Sequence, residues 1–351
     1  MLELKKRNLS QILYCPRGSE LAQKLKDEQL PATELAKGPL WSLAWALKLK
    51  HATESDSETI LHAHDGKAHN IALFLALINP HIRIVVHRRI IKTQNNPYYR
   101  WKYNHPSIRK IICISQAVYK SVAPIVHNPD RLILIPSGIK IQASSFTEPK
   151  KELVKSELGL PNKSQVVINI GSLLPQKNQI QFLEMAKLYL QRNPEKKGST
   201  FFLILGEGPE RARLERFIKD QALEESCRLL GYTQKAQEVL ASADIFVSTA
   251  VDEALGNVIL ESFMARVPVV ASRSGGFIDL IENEKTGFLV DLNNSRAFAQ
   301  ACEFLFQNPS RAQSLCDLAY RQLQDFDLEK TSESVYKIYQ SILSENEGEN
   351  T

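Results

Sequence analysis

Two glutamates, Glu253 and Glu261, stand eight positions apart in 252-DEALGNVILES-262, with Leu255-Gly256-Asn257 between them. A strand-like run, 244-DIFVST-249, ends just before, and a helix is expected to open around Leu255-Gly256. Free amides at that helix start would face a bound anion or hydroxyl. Glu261 lies beyond the first turn, too deep to cap, where a carboxylate can accept two hydroxyl bonds from a vicinal diol. A solvated helix glutamate is the plain alternative. Upstream, 165-QVVINI-170 is followed by Gly171-Ser172 and then by Lys177-Asn178 at a second helix start. Small residues there let backbone amides approach an anion, and the lysine adds a full charge. The turn 206-GEGPER-211 closes a further strand-like run. Taken singly, each piece also reads as an ordinary strand-to-helix turn.

The elements that must position these residues alternate along the chain. Strands are expected at 11–15, 59–64, 82–87, 110–115 and 131–136, then at 165–170, 201–206, 227–231, 244–249, 267–272 and 287–290. Helical patterns at 18–28, 67–78 and 116–126 separate the early ones. Apolar runs without polar alternation, spaced by helices, imply parallel strands covered on both faces. Two such series in succession imply two doubly wound α/β domains. The join is expected within 137–152, and 331–343 reads as one more amphipathic helix. Met1-LELKKRN reads as helix followed at once by a strand. The opening strand and glycine-rich turn of the first domain therefore read as missing, through shortening or through a start assigned downstream.

Composition narrows the function classes. The 351 residues are 43% hydrophobic and 24% charged, the balance of a soluble globular chain. No apolar run is long enough to span a bilayer, and no signal peptide is expected. Five widely spaced cysteines without a CxxC pair favour free thiols over a disulfide framework or a zinc site. Charge is divided unevenly: residues 1–150 carry 22 Lys and Arg against 11 Asp and Glu. No acidic residue lies between Asp65 and Asp130, and all eight histidines fall between His51 and His127. A basic surface of this kind suits anionic lipid headgroups or a phosphorylated acceptor, although charge alone specifies no partner. Nucleic acid is disfavoured because no recognised motif accompanies it.

The run 249–290 resembles the retaining nucleotide-sugar glycosyltransferases of family 4, which have the GT-B fold. The resemblance rests on Glu253 and Glu261, Pro268-Val269, Gly275-Gly276 and Gly287-Phe288-Leu289-Val290. Upstream, 171-GSLLPQKN-178, 206-GEGPE-210 and 230-LGY-232 fall in the order of that family's diphosphate, turn and base-contacting segments. In the first half it rests on 61-LHAHDGKA-68, 112-ICIS-115 and 134-LIPSGI-139. The resemblance implies two doubly wound Rossmann-like domains facing a central cleft. Residues 1–140 would bind the acceptor and 141–326 the nucleotide-sugar donor, with helix 327–343 returning to the first domain and a disordered tail at 344–351.

It further implies the following roles. Lys177 would neutralise the departing diphosphate beside Asn178, Gly171 and Ser172, and Glu261 would hold the ribose. Glu253 with Ala254, Leu255, Gly256 and Asn257 would grip sugar and phosphate, and Gly206 and Gly231 would complete the donor site. His64 would contribute a hydrogen bond to the sugar, with His62 as the fallback, and Arg88, Arg89 and Lys92 would meet an anionic acceptor. No metal or cofactor is expected, since fixed cations and helix-end amides can stabilise the leaving group. Ser172 replaces a frequent arginine, Arg266 a helix-ending glycine and Asp279 a frequent glutamate. The implied function is transfer of a sugar from a nucleotide diphosphate donor onto a lipid-linked glycan, lipopolysaccharide core or other anionic acceptor. The implied place is the cytoplasm, at the face of the inner membrane. A non-catalytic nucleotide-sugar-binding subunit, an N-terminally shortened inactive relative and a sugar-nucleotide epimerase are the alternatives.

Overall fold

The computed structural model describes residues 4, 9–35, 49, 59–141, 148–161 and 163–344. The expected helix at the N-terminus and the tail at 344–351 lie almost wholly outside these residues. The chain divides into two units: Met1–Gly138 with Leu328–Thr351, and Ile139–Asp327.

The second unit holds one six-stranded, all-parallel sheet in the order β12-β11-β10-β7-β8-β9. Its strands are β7 (Gln165–Ile170), β8 (Thr200–Leu205), β9 (Cys227–Gly231), β10 (Ile245–Ser248), β11 (Val269–Ser272) and β12 (Phe288–Val290). Every residue of β8, β10 and β11 is buried, the unalternated apolar pattern of strands covered on both faces. The chain winds outward from β7 through β8 to β9, then returns to place β10 on the other side of β7. Strand order therefore reverses between β7 and β10, and open sheets of this kind bind ligands outside the carboxyl ends at that point. The helix Gln179–Arg192 packs its buried Phe182 and Tyr189 edge-on against Phe202 of β8, at 6.1 and 5.5 Å between ring centres. The end of the expected join is ordered as a helix, Glu148–Glu157; Pro149 is tolerated at its start, where no amide bond is lost.

The first unit contains a four-stranded parallel sheet, β3 (Thr59–Ala63), β4 (Ile82–Arg88), β5 (Ile108–Cys113) and β6 (Leu132–Leu134), in sequence order. A separate parallel pair joins β1 (Leu13–Pro16) to β2 (Ala32–Leu35). β2 was not foreseen, because 32-ATEL-35 is short and polar and pairs only through the helix α1 (Glu20–Asp27) that precedes it. Three helices concern the sites below: α2 (Gly66–Ile78), α3 (Pro97–Asn104) and αC (Leu328–Ser344). α3 was not foreseen from the sequence. Its start is fixed by Asn96, whose side chain accepts from the Tyr99 amide, with Pro97 in the first turn. αC buries Val335, Ile338 and Ile342 against Val85 and Ile112 of the four-stranded sheet and Ile135 just past β6. All five cysteines are free and buried.

Candidate functional site

In the second unit the loops leaving β7 and β10 meet at the switch point. After β7 the chain turns at Gly171, runs through a single 3-10 turn, Pro175–Lys177, and passes Asn178 in the left-handed region at φ 50°. That turn folds Lys177 back over Gly171, where a side chain on the glycine would lie 3.7 Å from the lysine's Cδ and Cε. Thr249, at the end of β10, donates its hydroxyl to the Asn178 carbonyl at 2.8 Å and ties the two loops together. The Val251 amide reaches the Gln176 carbonyl at 2.9 Å. With the loops so joined, the Lys177 ammonium donates to the Glu253 carboxylate in a partly buried ion pair.

Backbone-to-backbone packing makes the rest of the cradle. A Cβ on Gly206 would overlap the Gly171 carbonyl, and one on Gly275 the Glu253 carbonyl. The Gly276 amide also donates to the Glu253 carbonyl at 2.8 Å. Gly256, at φ 98°, precedes the helix Asn257–Met264, and a side chain there would strike the Phe277 ring. Gly256 offers no side-chain cap; the Ile259 amide turns back to the Gly256 carbonyl at 2.9 Å, which leaves the amides of Asn257 and Val258 for something else. Glu261 is the helix's fifth residue, and its carboxylate has no hydrogen-bonding partner among the described residues. Burial alone pushes its pKa above the usual carboxylate range. A desolvated carboxylate without a partner is unfavourable in the empty site and becomes favourable once hydroxyl donors reach it. Gly231 packs against the Glu207 carboxylate, next to Tyr232, which is 74% exposed. Gly171, Ser172, Lys177, Asn178, Glu253, Ala254, Leu255, Gly256, Asn257 and Glu261 thus share the carboxyl edge of one sheet, with Gly206 packed against Gly171. Leu255 is buried and can offer only backbone.

In the first unit, three imidazoles share one end of the sheet. His62 lies on β3, His64 just beyond it and His87 on β4. The rings of His62 and His64 stack at 4.2 Å and 23°, and those of His62 and His87 at 5.4 Å and 12°. Their nitrogens come within 4.8 Å of one another. Near-parallel rings send their in-plane lone pairs side by side rather than to one point, which suits hydrogen bonding better than chelation. His62 Nδ1 pairs with the Tyr339 hydroxyl of αC, while His62 Nε2 and both His87 nitrogens have no partner among the described residues. Desolvation, then the Arg89 charge, lowers the buried His87 to about 3; His64, whose ring reaches solvent, is shifted in the same direction.

The three basic residues expected to meet an acceptor diverge. Arg88 is buried, and its guanidinium donates to the Lys92 carbonyl and to Thr93 Oγ1 at 3.1 Å, so it holds its own loop rather than facing solvent. The sequence could not show this, because a run of arginines looks uniformly exposed. Arg89 and Lys92 are exposed. Thr249, His87 and Tyr339 were missed. Thr249 carried a signal, a hydroxyl at a strand's carboxyl end; Tyr339 lies 277 residues from its partner and carried none.

Residues 150–322 match the family Glycosyl transferases group 1. This segment contains every residue of the cradle just described. The chain is 30% identical over 177 residues to the UDP-Gal:alpha-D-GlcNAc-diphosphoundecaprenol alpha-1,3-galactosyltransferase of Escherichia coli, covering 50% of this chain and 45% of that one. It is 22% identical over 320 residues to the N-acetyl-alpha-D-glucosaminyl L-malate synthase of Bacillus anthracis, covering 88% of this chain and 81% of that one. Thus the chain spans less than half the length of the galactosyltransferase, and most of the synthase. Among solved structures, Anabaena HepE in complex with UDP-glucose aligns with a TM-score of 0.82 at 20% identity, over 94% of this chain and 91% of that one. A glycosyltransferase from Rickettsia africae aligns at 0.84 and 19% identity, over 97% and 92%. These likenesses show the fold: two Rossmann-like α/β units with parallel sheets, as in GT-B glycosyltransferases.

Proposed function

We propose that the protein transfers a sugar from a nucleotide diphosphate donor to a lipid-linked or otherwise anionic glycan acceptor, with retention of anomeric configuration, in the manner of family 4. The observation that carries this reading is the meeting of Lys177, Glu253 and the uncapped helix start at the β7/β10 switch point, with unpartnered Glu261 one turn further on. A diphosphate drawn to that edge would take Lys177 from Glu253, and the lysine would neutralise the charge that grows as the glycosidic bond breaks. The amides of Asn257 and its neighbours would bind phosphate oxygens. Glu261 would accept both ribose hydroxyls, and Glu253, freed from the lysine, would accept hydroxyls of the transferred sugar. Supply of cationic charge by Lys177 makes the reaction metal-independent in this reading.

The relatives support the acceptor class. The Escherichia coli protein is named for a diphosphoundecaprenol acceptor, and a Rhizobium meliloti relative, 28% identical over 169 residues, for lipopolysaccharide core biosynthesis. The reaction would then take place at the cytoplasmic face of the membrane that carries the acceptor. Calorimetry with nucleoside diphosphates and their sugars tests the donor site: wild type should bind at least one, and Glu261→Ala should bind it more weakly. Equal affinity of both proteins for every nucleotide would remove the ribose assignment. Transfer that persists undiminished in EDTA is expected, and a loss restored by added divalent cation would refute metal independence.

A further inference from the structure

We infer that Tyr339, on αC, is a positioning residue for the imidazole stack. Its hydroxyl donates to His62 Nδ1 and fixes that ring with the proton on Nε2. The fixed ring in turn sets the plane of the His64 ring stacked upon it. αC can hold a hydroxyl steadily because it is pinned at its start and along one face. Thr331 donates to the Pro136 carbonyl at 3.2 Å, and a Cβ on Gly138 would overlap the Leu328 Cα. Val335, Ile338 and Ile342 follow at helical spacing into the core, and the Tyr339 ring packs against the same cluster. The rings of Tyr339 and His62 then meet nearly at right angles, 87°, with centres 5.8 Å apart.

The direction of the bond follows from acid strength. A phenol gives up its proton more readily than a neutral imidazole N–H, and an imidazole nitrogen is a better base than a phenol oxygen. Burial raises the Tyr339 pKa, so the hydroxyl stays protonated. His62 is neutral as well: desolvation first, then His64, His87 and Arg89, hold its pKa well below the ordinary histidine value. A neutral imidazole carries one N–H, so an accepting Nδ1 leaves the proton on Nε2. His62 Nε2 is buried without a partner among the described residues, which leaves the tyrosine as the anchor of that ring. The main chain beyond the stack is held from elsewhere. The Asp65 side chain accepts from the Lys67 and Ala68 amides at 2.8 Å, and Lys102 of α3 donates to the Gly66 carbonyl at 3.0 Å. These contacts do not reach the His64 ring, whose neighbour is the His62 ring centred 4.2 Å away. The purpose of the anchor rests on the proposed sugar transfer, with His64 as the imidazole that meets the sugar; the anchor itself can be read without any transfer.

Proton–nitrogen correlation spectroscopy of the full chain with isotope-labelled histidine reads the tautomer directly, His62 being assigned by the signals that His62→Gln removes. Near neutral pH the wild type should show His62 protonated on Nε2 with a bare Nδ1. Tyr339→Phe keeps the packed ring and loses only the hydroxyl; it should give a mixture of His62 tautomers and shift the His64 signals. In a transfer assay its kcat should fall about fivefold while KM for the donor stays unchanged. A merely structural tyrosine would lower the thermal midpoint and leave both the tautomer and kcat as they were. Should Tyr339→Phe fail to fold, the wild-type tautomer alone decides. A proton on Nδ1 in the wild type, or identical His62 and His64 signals in the two proteins, would overturn the proposal. So would an unchanged kcat in a variant whose tautomer has shifted. A chain that transfers no sugar but shows the expected tautomer would sink the proposed function and leave the anchor standing.

Discussion

The two units solve the same problem with different materials. In the second, one sheet of six parallel strands has β7 paired on both sides, and the loops on either side of its switch point interlock through glycine-backed main chain. In the first, no strand among the described residues bridges the β1–β2 pair and the β3–β6 sheet, and the chemistry-bearing groups are stacked imidazoles, with His87 buried and His62 held by Tyr339 of αC. A site made from backbone is fixed by topology and by residues that lack side chains. A site made from packed side chains is fixed by burial, and is therefore sensitive to anything that charges it.

Acid should expose that difference most strongly. His69 and His87, 1% and 6% exposed, are held at about 2 and about 3 mainly by desolvation. Their folded pKa values lie below the unfolded value, so their contribution is complete above about pH 6.5 and is lost as pH falls. At pH 5 each costs the first unit about 2 kcal/mol. All three tryptophans, Trp41, Trp45 and Trp101, lie in the first unit, so tryptophan fluorescence reports that unit alone. The urea midpoint by fluorescence should fall steeply between pH 7.5 and 5. A midpoint that stays level would show the imidazoles to be solvated.

Glycine substitution should reverse the contrast. Gly206→Ala puts a Cβ into the Gly171 carbonyl and should cost the second unit about 3 kcal/mol or more, with nucleotide affinity lost. The fluorescence midpoint should not move; if it does, the units do not unfold separately.

Lys177→Ala should lower the transfer rate about a hundredfold, more than it weakens nucleotide binding, because its charge is needed most as the leaving group forms. Equal losses in rate and affinity would make the lysine a binding residue only. The smallest effect, and opposite in sign, is expected from Glu261→Gln in the absence of ligand. A carboxylate with a raised pKa contributes its full stability below the unfolded value and loses it as pH rises. Removing its charge should therefore stabilise the empty second unit at pH 7 while weakening nucleotide binding, a divergence that calorimetry and thermal unfolding read together.

Much of the second unit was legible in the sequence because its information is local. Unalternated runs such as 201-FFLILG-206 marked buried parallel strands, and the turn residues Gly171 and Gly275 marked where backbone approaches backbone. The pairing of Lys177 with Glu253 was not legible, since it depends on strand order, which places β10 beside β7 rather than after β9. In the first unit, periodicity located β3 through β6 but missed α3, whose cap and proline were obscured by its aromatic content. It also read Arg88 as an open cation, when the side chain turns inward to its own loop.

αC has a consequence for the order in which the protein matures. The second unit is one continuous stretch, Ile139–Asp327, whereas the first is interrupted and ends with Leu328–Thr351. A ribosome making this chain delivers all of the later unit before the helix that seals the earlier one. Val85, Ile112 and Ile135 must wait for Val335, Ile338 and Ile342 through the synthesis of an entire domain. The unit begun first is finished last, and during that interval its sheet is the part of the nascent protein most in need of a chaperone.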